Sequence, residues 1–207
     1  MVTKKEQFKN ILAKYIPEEF LEYTIQLFIK HPVKFKISKP RRTKLGDFRA
    51  NKEGLHQITV NGDLNRYSFL ITTIHEFAHL ITFDSFGWKV KPHGNEWQMT
   101  YRKLMTPIVD STHLPSDVSI ALRNSLINVK ASSCTDKNLQ RVLMNYNKTS
   151  HLIALENLDK NAIFTLSNKV FKKGVLRRSR FECSEVKTNK KYLINCLAMV
   201  NEINYEK

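Results

Sequence analysis

From Asn65 to Phe83 the chain reads NRYSFLITTIHEFAHLITF, with Leu70, Ile71, Ile74, Phe77, Ala78 and Ile81 spread around most of a helical circumference. A helix that is apolar on nearly every side has to be buried on nearly every side, so the rest of the chain must wrap it. Asp63 and Asn65 stand before it, and either can cap its first turn. Yet the same segment carries His75, Glu76 and His79. Buried polar groups need partners, and a metal ion is one way to supply them.

His75 and His79 are four residues apart, so on a helix of 3.6 residues per turn both imidazoles project from one face and can bind one ion. Glu76 is placed to take a proton from a water on that ion without being a ligand, the arrangement of HExxH hydrolases. A catalytic zinc takes a third protein ligand and keeps one open position. Thr82 and Ser85 stand where a metzincin would have glycine and histidine, which excludes that class. Two candidates remain. His93 lies in KPHGNEW, where Pro92 and Gly94 make a turn that can present an imidazole; Glu96 begins the following helix, as in thermolysin-like sites.

The surrounding pattern is mixed. Residues 4–32 read as two helices, broken at Pro17 and ended by Pro32. VKFKIS (33–38) and LHQITVN (55–61) alternate as strands, with Gly46 in RRTKLGDFRA as a turn or bulge, which predicts a small antiparallel sheet. NEWQMTYRKLM (95–105) and SDVSIALRNSLI (116–127) complete a helical layer. Composition changes near residue 130: KASSCTDKNLQR reads as a linker, and short strands punctuated by Asn, Lys and Gly follow. The expected architecture is α+β: a zincin-like helical domain with the small sheet over residues 1–130, then a small β-rich, ribbon-like C-terminal module over 131–207.

Thirty-four Lys and Arg against 19 Asp and Glu give a formal charge of +15, which attracts polyanions, nucleic acid first among them. Residues 131–207 alone hold 14 basic and 7 acidic side chains. The candidate nucleic-acid contacts are Arg41, Arg42 and Lys44 in KFKISKPRRTK, and Lys172, Lys173, Arg177, Arg178 and Arg180 in KKGVLRRSR. If the latter stretch is a hairpin, simple alternation puts Arg178 with Arg180 and turns Arg177 away. No run of 18 apolar residues and no apolar leader is present, and the three cysteines, Cys134, Cys183 and Cys196, are odd in number and far apart. These features predict a soluble, cytoplasmic protein, nucleoid-associated if bacterial, without a membrane partner.

HEFAHL followed by HGNEW, after a sheet containing RRTKLGDF and before a basic strand-rich tail, resembles the SprT-like family of Spartan-type zinc metalloproteases. The resemblance implies one zinc held by His75, His79 and His93, with Glu96 left to a supporting position, and cleavage of proteins on DNA, single-stranded or damaged, as in DNA–protein crosslink repair. The tail departs from the pattern, having no CxxC pair for a second zinc. Two rival readings stand beside this one: a DNA-binding or regulatory protein with a structural metal, which has no use for Glu76, and a metal-dependent hydrolase of small substrates.

Overall fold

The computed structural model describes residues 3–41, 43–148 and 151–203, and the chain divides into two compact units, residues 1–147 and 148–207. Six helices and three strands make the first: α1 (Lys4–Leu12), α2 (Leu21–Lys30), β1 (Lys34–Ser38), β2 (Gly46–Arg49), β3 (Gln57–Asn61), α3 (Arg66–Phe86), α4 (Asn95–Val109), α5 (Ser116–Ile127) and α6 (Lys137–Met144). Among the described residues, no helix is long and apolar enough to cross a membrane.

α3 is the 21-residue centre of this unit, with Phe69, Leu70, Ile74, Phe77 and Ala78 fully buried. It packs on β2 and β3 on one side and on α4 on another, which is why its sequence is apolar nearly all round. Aromatic packing ties in the N-terminal helices: the Phe28 ring lies 4.7 Å from those of Phe8 and Phe77 and 4.8 Å from that of Phe35. The hydroxyl of the half-buried Tyr23 donates to the Leu104 carbonyl at 2.7 Å, joining α2 to α4.

The small sheet has the order β1-β3-β2. β2 pairs antiparallel with β3 as expected, but β1 runs parallel to β3, so the sheet is mixed rather than wholly antiparallel. Alternation along a strand reports which face is buried and says nothing about its direction. Because β3 takes the middle, β2 is left as an edge strand alongside α3.

The first unit extends past the boundary expected at residue 130. The supposed linker contains α6, whose start is capped by Asp136 accepting from the Asn138 and Leu139 amides at 3.1 Å. Leu139 and Leu143 of α6 are buried in the first unit's core. An eight-residue helix offers too few turns for its period to stand out in a polar stretch.

The second unit is an antiparallel sheet of β4 (Ile153–Ala154), β5 (Ile163–Leu166), β6 (Lys169–Lys172), β7 (Leu176–Arg177), β8 (Arg180–Glu185), β9 (Lys191–Asn195) and β10 (Met199–Ile203), in the order β4-β10-β5-β6-β8-β7 with β9 also on β8. Leu155, Phe164, Phe171, Cys183, Ile194 and Val200 form its own core. The mixed helical-then-sheet organisation agrees with the α+β class read from the sequence.

Asn65, rather than Asp63, caps α3: its side-chain oxygen accepts from the Ser68 amide at 2.9 Å. Its amide nitrogen donates to the Leu143 carbonyl and the Asn147 side chain, both at 2.8 Å, so one residue fastens the central helix to the end of α6. Asn65→Ala is expected to destabilise the first unit by about 1–3 kcal/mol through the lost cap and the lost bonds to the Leu143 carbonyl and the Asn147 side chain. A lower urea midpoint with an unchanged slope is the expected reading.

Candidate metal centre

His75 and Glu76 lie buried at the middle of α3, and His79 sits one turn further on, half-buried. The turn after Pro92 delivers His93 to the same place. The left-handed backbone there falls on His93 itself (φ 59°), with the Gly94 amide donating to the Lys91 carbonyl at 2.9 Å. A non-glycine residue in that conformation is held against its preference by its surroundings.

The ligand-capable atoms of His75, His79 and His93 all lie within 4.8 Å of one another, and the Nε2 atoms of His79 and His93 are 3.0 Å apart. Zinc–nitrogen bonds of about 2.0–2.1 Å in a tetrahedral site put nitrogens about 3.4 Å apart, so the group needs little adjustment to hold such an ion. Its electrostatics suit a cation as well. Burial, with the neighbouring His79 and His93 adding to it, holds His75 down at about 2, and burial with His93 holds His79 at about 3. Burial also lowers His93. The three rings are therefore neutral at physiological pH, with lone pairs free for a metal. Among the described residues this is the one such group of three or more potential ligands, and Glu96, in the first turn of α4, is not a member.

Glu76 is pushed up to about 8, mainly by burial and then by Asp47, with Arg41, Lys44 and the Phe48 amide opposing. A divalent cation among the histidines would favour the carboxylate. What places Glu76 is glycine: a Cβ at Gly46 would stand 2.6 Å from Glu76 Oε1 and 2.7 Å from Thr72 Cγ2, so β2 can lie this close to α3 only without a side chain there. The glycine read as a turn or bulge is thus a close-approach position within β2.

Beneath the imidazoles lies Trp97, four residues after His93 on α4. Its ring is 4.7 Å from His75, 5.0 Å from His79 and 4.6 Å from His93, and it stacks on Tyr101 at 5.1 Å. Burial raises the Tyr101 phenol well above its usual range, so it stays neutral. A cavity of about 690 Å³ opens beside the histidines, with Glu76 in its wall.

The SprT-like family model matches residues 12–124, more than half of the chain and the whole of this histidine centre. The chain belongs to the SprT-like family. Similar proteins include Protein SprT of Pseudomonas aeruginosa (strain UCBPP-PA14), 36% identical over 88 residues, or 38% of this chain and 53% of that protein. Protein SprT of Shewanella oneidensis (strain MR-1) is 31% identical over 105 residues, 46% of this chain and 67% of its own length. Protein SprT of Vibrio atlanticus (strain LGP32) is 40% identical over 63 residues, 28% and 37% respectively. The chain spans about half the length of the Pseudomonas aeruginosa relatives it matches. No solved structure matches it.

This SprT-like chain distributes its expected nucleic-acid contacts unevenly. Arg41 is turned inward, bonding Asp47 and, at 2.7 Å, Asn61, while Lys44 pairs with Asp47 at 3.3 Å. Arg42 lies outside the described residues. Lys173 is buried: its ammonium donates to the Glu156 and Leu158 carbonyls and lies 4.2 Å from the Phe181 ring centroid. Lys172, Arg177, Arg178 and Arg180 are exposed. The predicted facing of the arginines is corrected as well. Arg177 of β7 pairs directly with Arg180 of β8, so these two share a face, while Arg178 (φ 57°) sits in the two-residue turn between them. Alternation does not carry across a tight turn, where the flanking residues become partners.

Trp97 and Asp47 were not among the residues singled out by sequence, and Gly46 was read there only as a turn or bulge. Helical spacing does not relate Trp97 to His93, because His93 lies in the turn before α4 begins.

The titrating groups give the metal-free protein a particular pH profile. Below about pH 6.5 the unfolded chain takes up protons that the buried histidines refuse, so their contribution to stability falls as pH falls. Glu76 acts in the opposite sense: its contribution is complete below pH 4.5 and is lost as pH rises through about 8. Thermal unfolding in chelator from pH 5 to 9 should therefore show stability rising to about pH 6.5 and then declining. Glu76→Gln should remove the decline; an identical decline in that variant contradicts the assignment.

Proposed function

We propose that this SprT-like protein is a zinc metallopeptidase acting on DNA-associated proteins. The observation that carries the reading is the placement of Glu76: a buried carboxylate beside three converging neutral imidazoles, in the wall of an open cavity. A purely structural site has no use for either the carboxylate or the opening. Bound by His75, His79 and His93, zinc would polarise a peptide carbonyl and bring the pKa of a water toward neutrality. Glu76 accepts the proton of the attacking water and returns it to the leaving amine. Trp97, packed against all three imidazoles and backed by Tyr101, keeps the rings fixed. β2 supports a peptide rather than a small substrate: it lines the cavity and, among the described residues, pairs with β3 alone, so that apart from the Phe48 amide, which is turned to Glu76, its outer edge offers backbone groups to an extended chain.

Glu76→Gln should keep metal content and fold while abolishing peptide cleavage, because an amide cannot accept the proton. The reading fails if wild type and variant cleave a DNA-bound protein at comparable rates. His75→Ala is the companion control, with loss of both zinc and activity expected.

For DNA, the support lies in the net charge and in the exposed Lys172, Arg177, Arg178 and Arg180 of the second unit. Arg177 and Arg180 pair across one face, although Glu182 lies 4.0 Å from Arg177 and 3.0 Å from Lys191 and offsets part of the charge. Replacing both arginines with Ala should weaken binding of single-stranded DNA about equally for all sequences. It should also reduce the slope of log K against log salt by up to about 1.4, about 0.7 for each phosphate contact. An unchanged slope would take the DNA site away from this hairpin.

A further inference from the structure

The cavity beside the histidines is lined by different chemistry along its length. Near Thr72, one turn before His75, it is bordered by Ser132, Ser133 and Thr135, with Ser133 Oγ 3.2 Å from Thr72 Oγ1. Toward the C-terminal end of α3 the lining becomes aromatic. Phe48 of β2 lies nearly parallel to His79 at 6.5 Å, Phe83 lies 5.8 Å from Phe48, and Trp88 meets Phe83 edge-on at 5.0 Å. His56, 5.7 Å from Phe48 and 5.2 Å from Phe83, braces the pair and is itself 3.4 Å from Asp84. An unbroken run of rings thus leads from a candidate metal ligand to the protein surface.

Its outer end is Trp88, 85% exposed. The turn at Gly87 (φ 59°), which ends α3, sets the indole against Phe83. Leaving most of an indole in water is unfavourable, and a large apolar group that completes a wall of a functional cavity is well placed to be covered by what enters it.

We propose that Phe48, Phe83 and Trp88 form a specificity subsite that seats one large apolar side chain of a peptide held at the three-histidine centre. The proposal rests on the peptidase reading and adds to it the class of residue selected. The two lysines that follow Trp88 closely in the chain, Lys89 and Lys91, suggest nucleic-acid stacking as the competing use. That use needs only the outer indole; it leaves the continuation through Phe83 and Phe48 to His79 without a purpose.

The test is calorimetry with the zinc-loaded full chain carrying Glu76→Gln, so that nothing is cleaved. The probes are blocked glycine pentapeptides with phenylalanine or alanine at the centre. The phenylalanine peptide should bind at least about tenfold more tightly, the scale expected for filling an apolar pocket. Adding Trp88→Ala, a change at an exposed position, should bring the two peptides close to parity with zinc content unchanged. Equal affinities before that change, no saturable binding of either peptide, or a preference that survives Trp88→Ala together with Phe83→Leu would each overturn the subsite. So would an oligothymidylate whose binding depends on Trp88 while peptide binding does not. Failure of the peptidase reading would appear separately, as wild-type protein that does not cleave, and leaves the measured binding ratio intact.

Discussion

The fold is organised around an unfavourable act, the burial of two imidazoles and a carboxylate inside an apolar helix. Desolvation opposes charge on all three, and the result is neutral histidines and a carboxyl pushed toward about 8. Such a cluster persists only if the surroundings supply enough apolar contact to offset it. α3 gains that contact from the sheet, from α4 and from the aromatic cluster about Phe28 and Phe77. The same enclosure that makes the polar groups costly also strengthens any interaction they make with a cation.

Close approach is the second requirement, and it is met by what is missing rather than by what is present. Gly46 lets the edge strand lie against Glu76, and the next residue, Asp47, gathers Arg41 and Lys44, which knit the preceding loop to Asn61. Arg41 and Asp47 are therefore turned inward, and together with Lys44 they contribute to the potential felt by Glu76.

Sequence revealed the parts of this molecule that depend on local periodicity. α3, the helical pair His75 and His79, the turn presenting His93, and α4 and α5 can all be read from spacing and caps. The parts it concealed depend on what lies across from them. The direction of β1, the packing of α6, the pairing of Arg177 with Arg180 and the inward course of Arg41 are decided by partners distant in the chain. His93 as third ligand, in preference to Glu96, is consistent with the three-histidine geometry, yet the residues alone left both open. Neither the seat of Trp97 nor that of Gly46 could be read, because nothing in the order of residues says which side chains a residue will face across a turn or between elements.

Lys173 carries a consequence for how a basic protein of this kind is dissected. It counts toward the formal charge of +15 while serving two backbone carbonyls and an aromatic ring inside the second unit. Removing it would strip donors from those carbonyls and loosen the sheet, and the loss of polyanion affinity that followed would look like a lost contact. Systematic neutralisation of lysines and arginines thus mixes two quantities, field and foldedness. They separate only when each variant's unfolding is measured beside its binding, and the paired, outward Arg177 and Arg180 are where the first can be changed with least disturbance of the second.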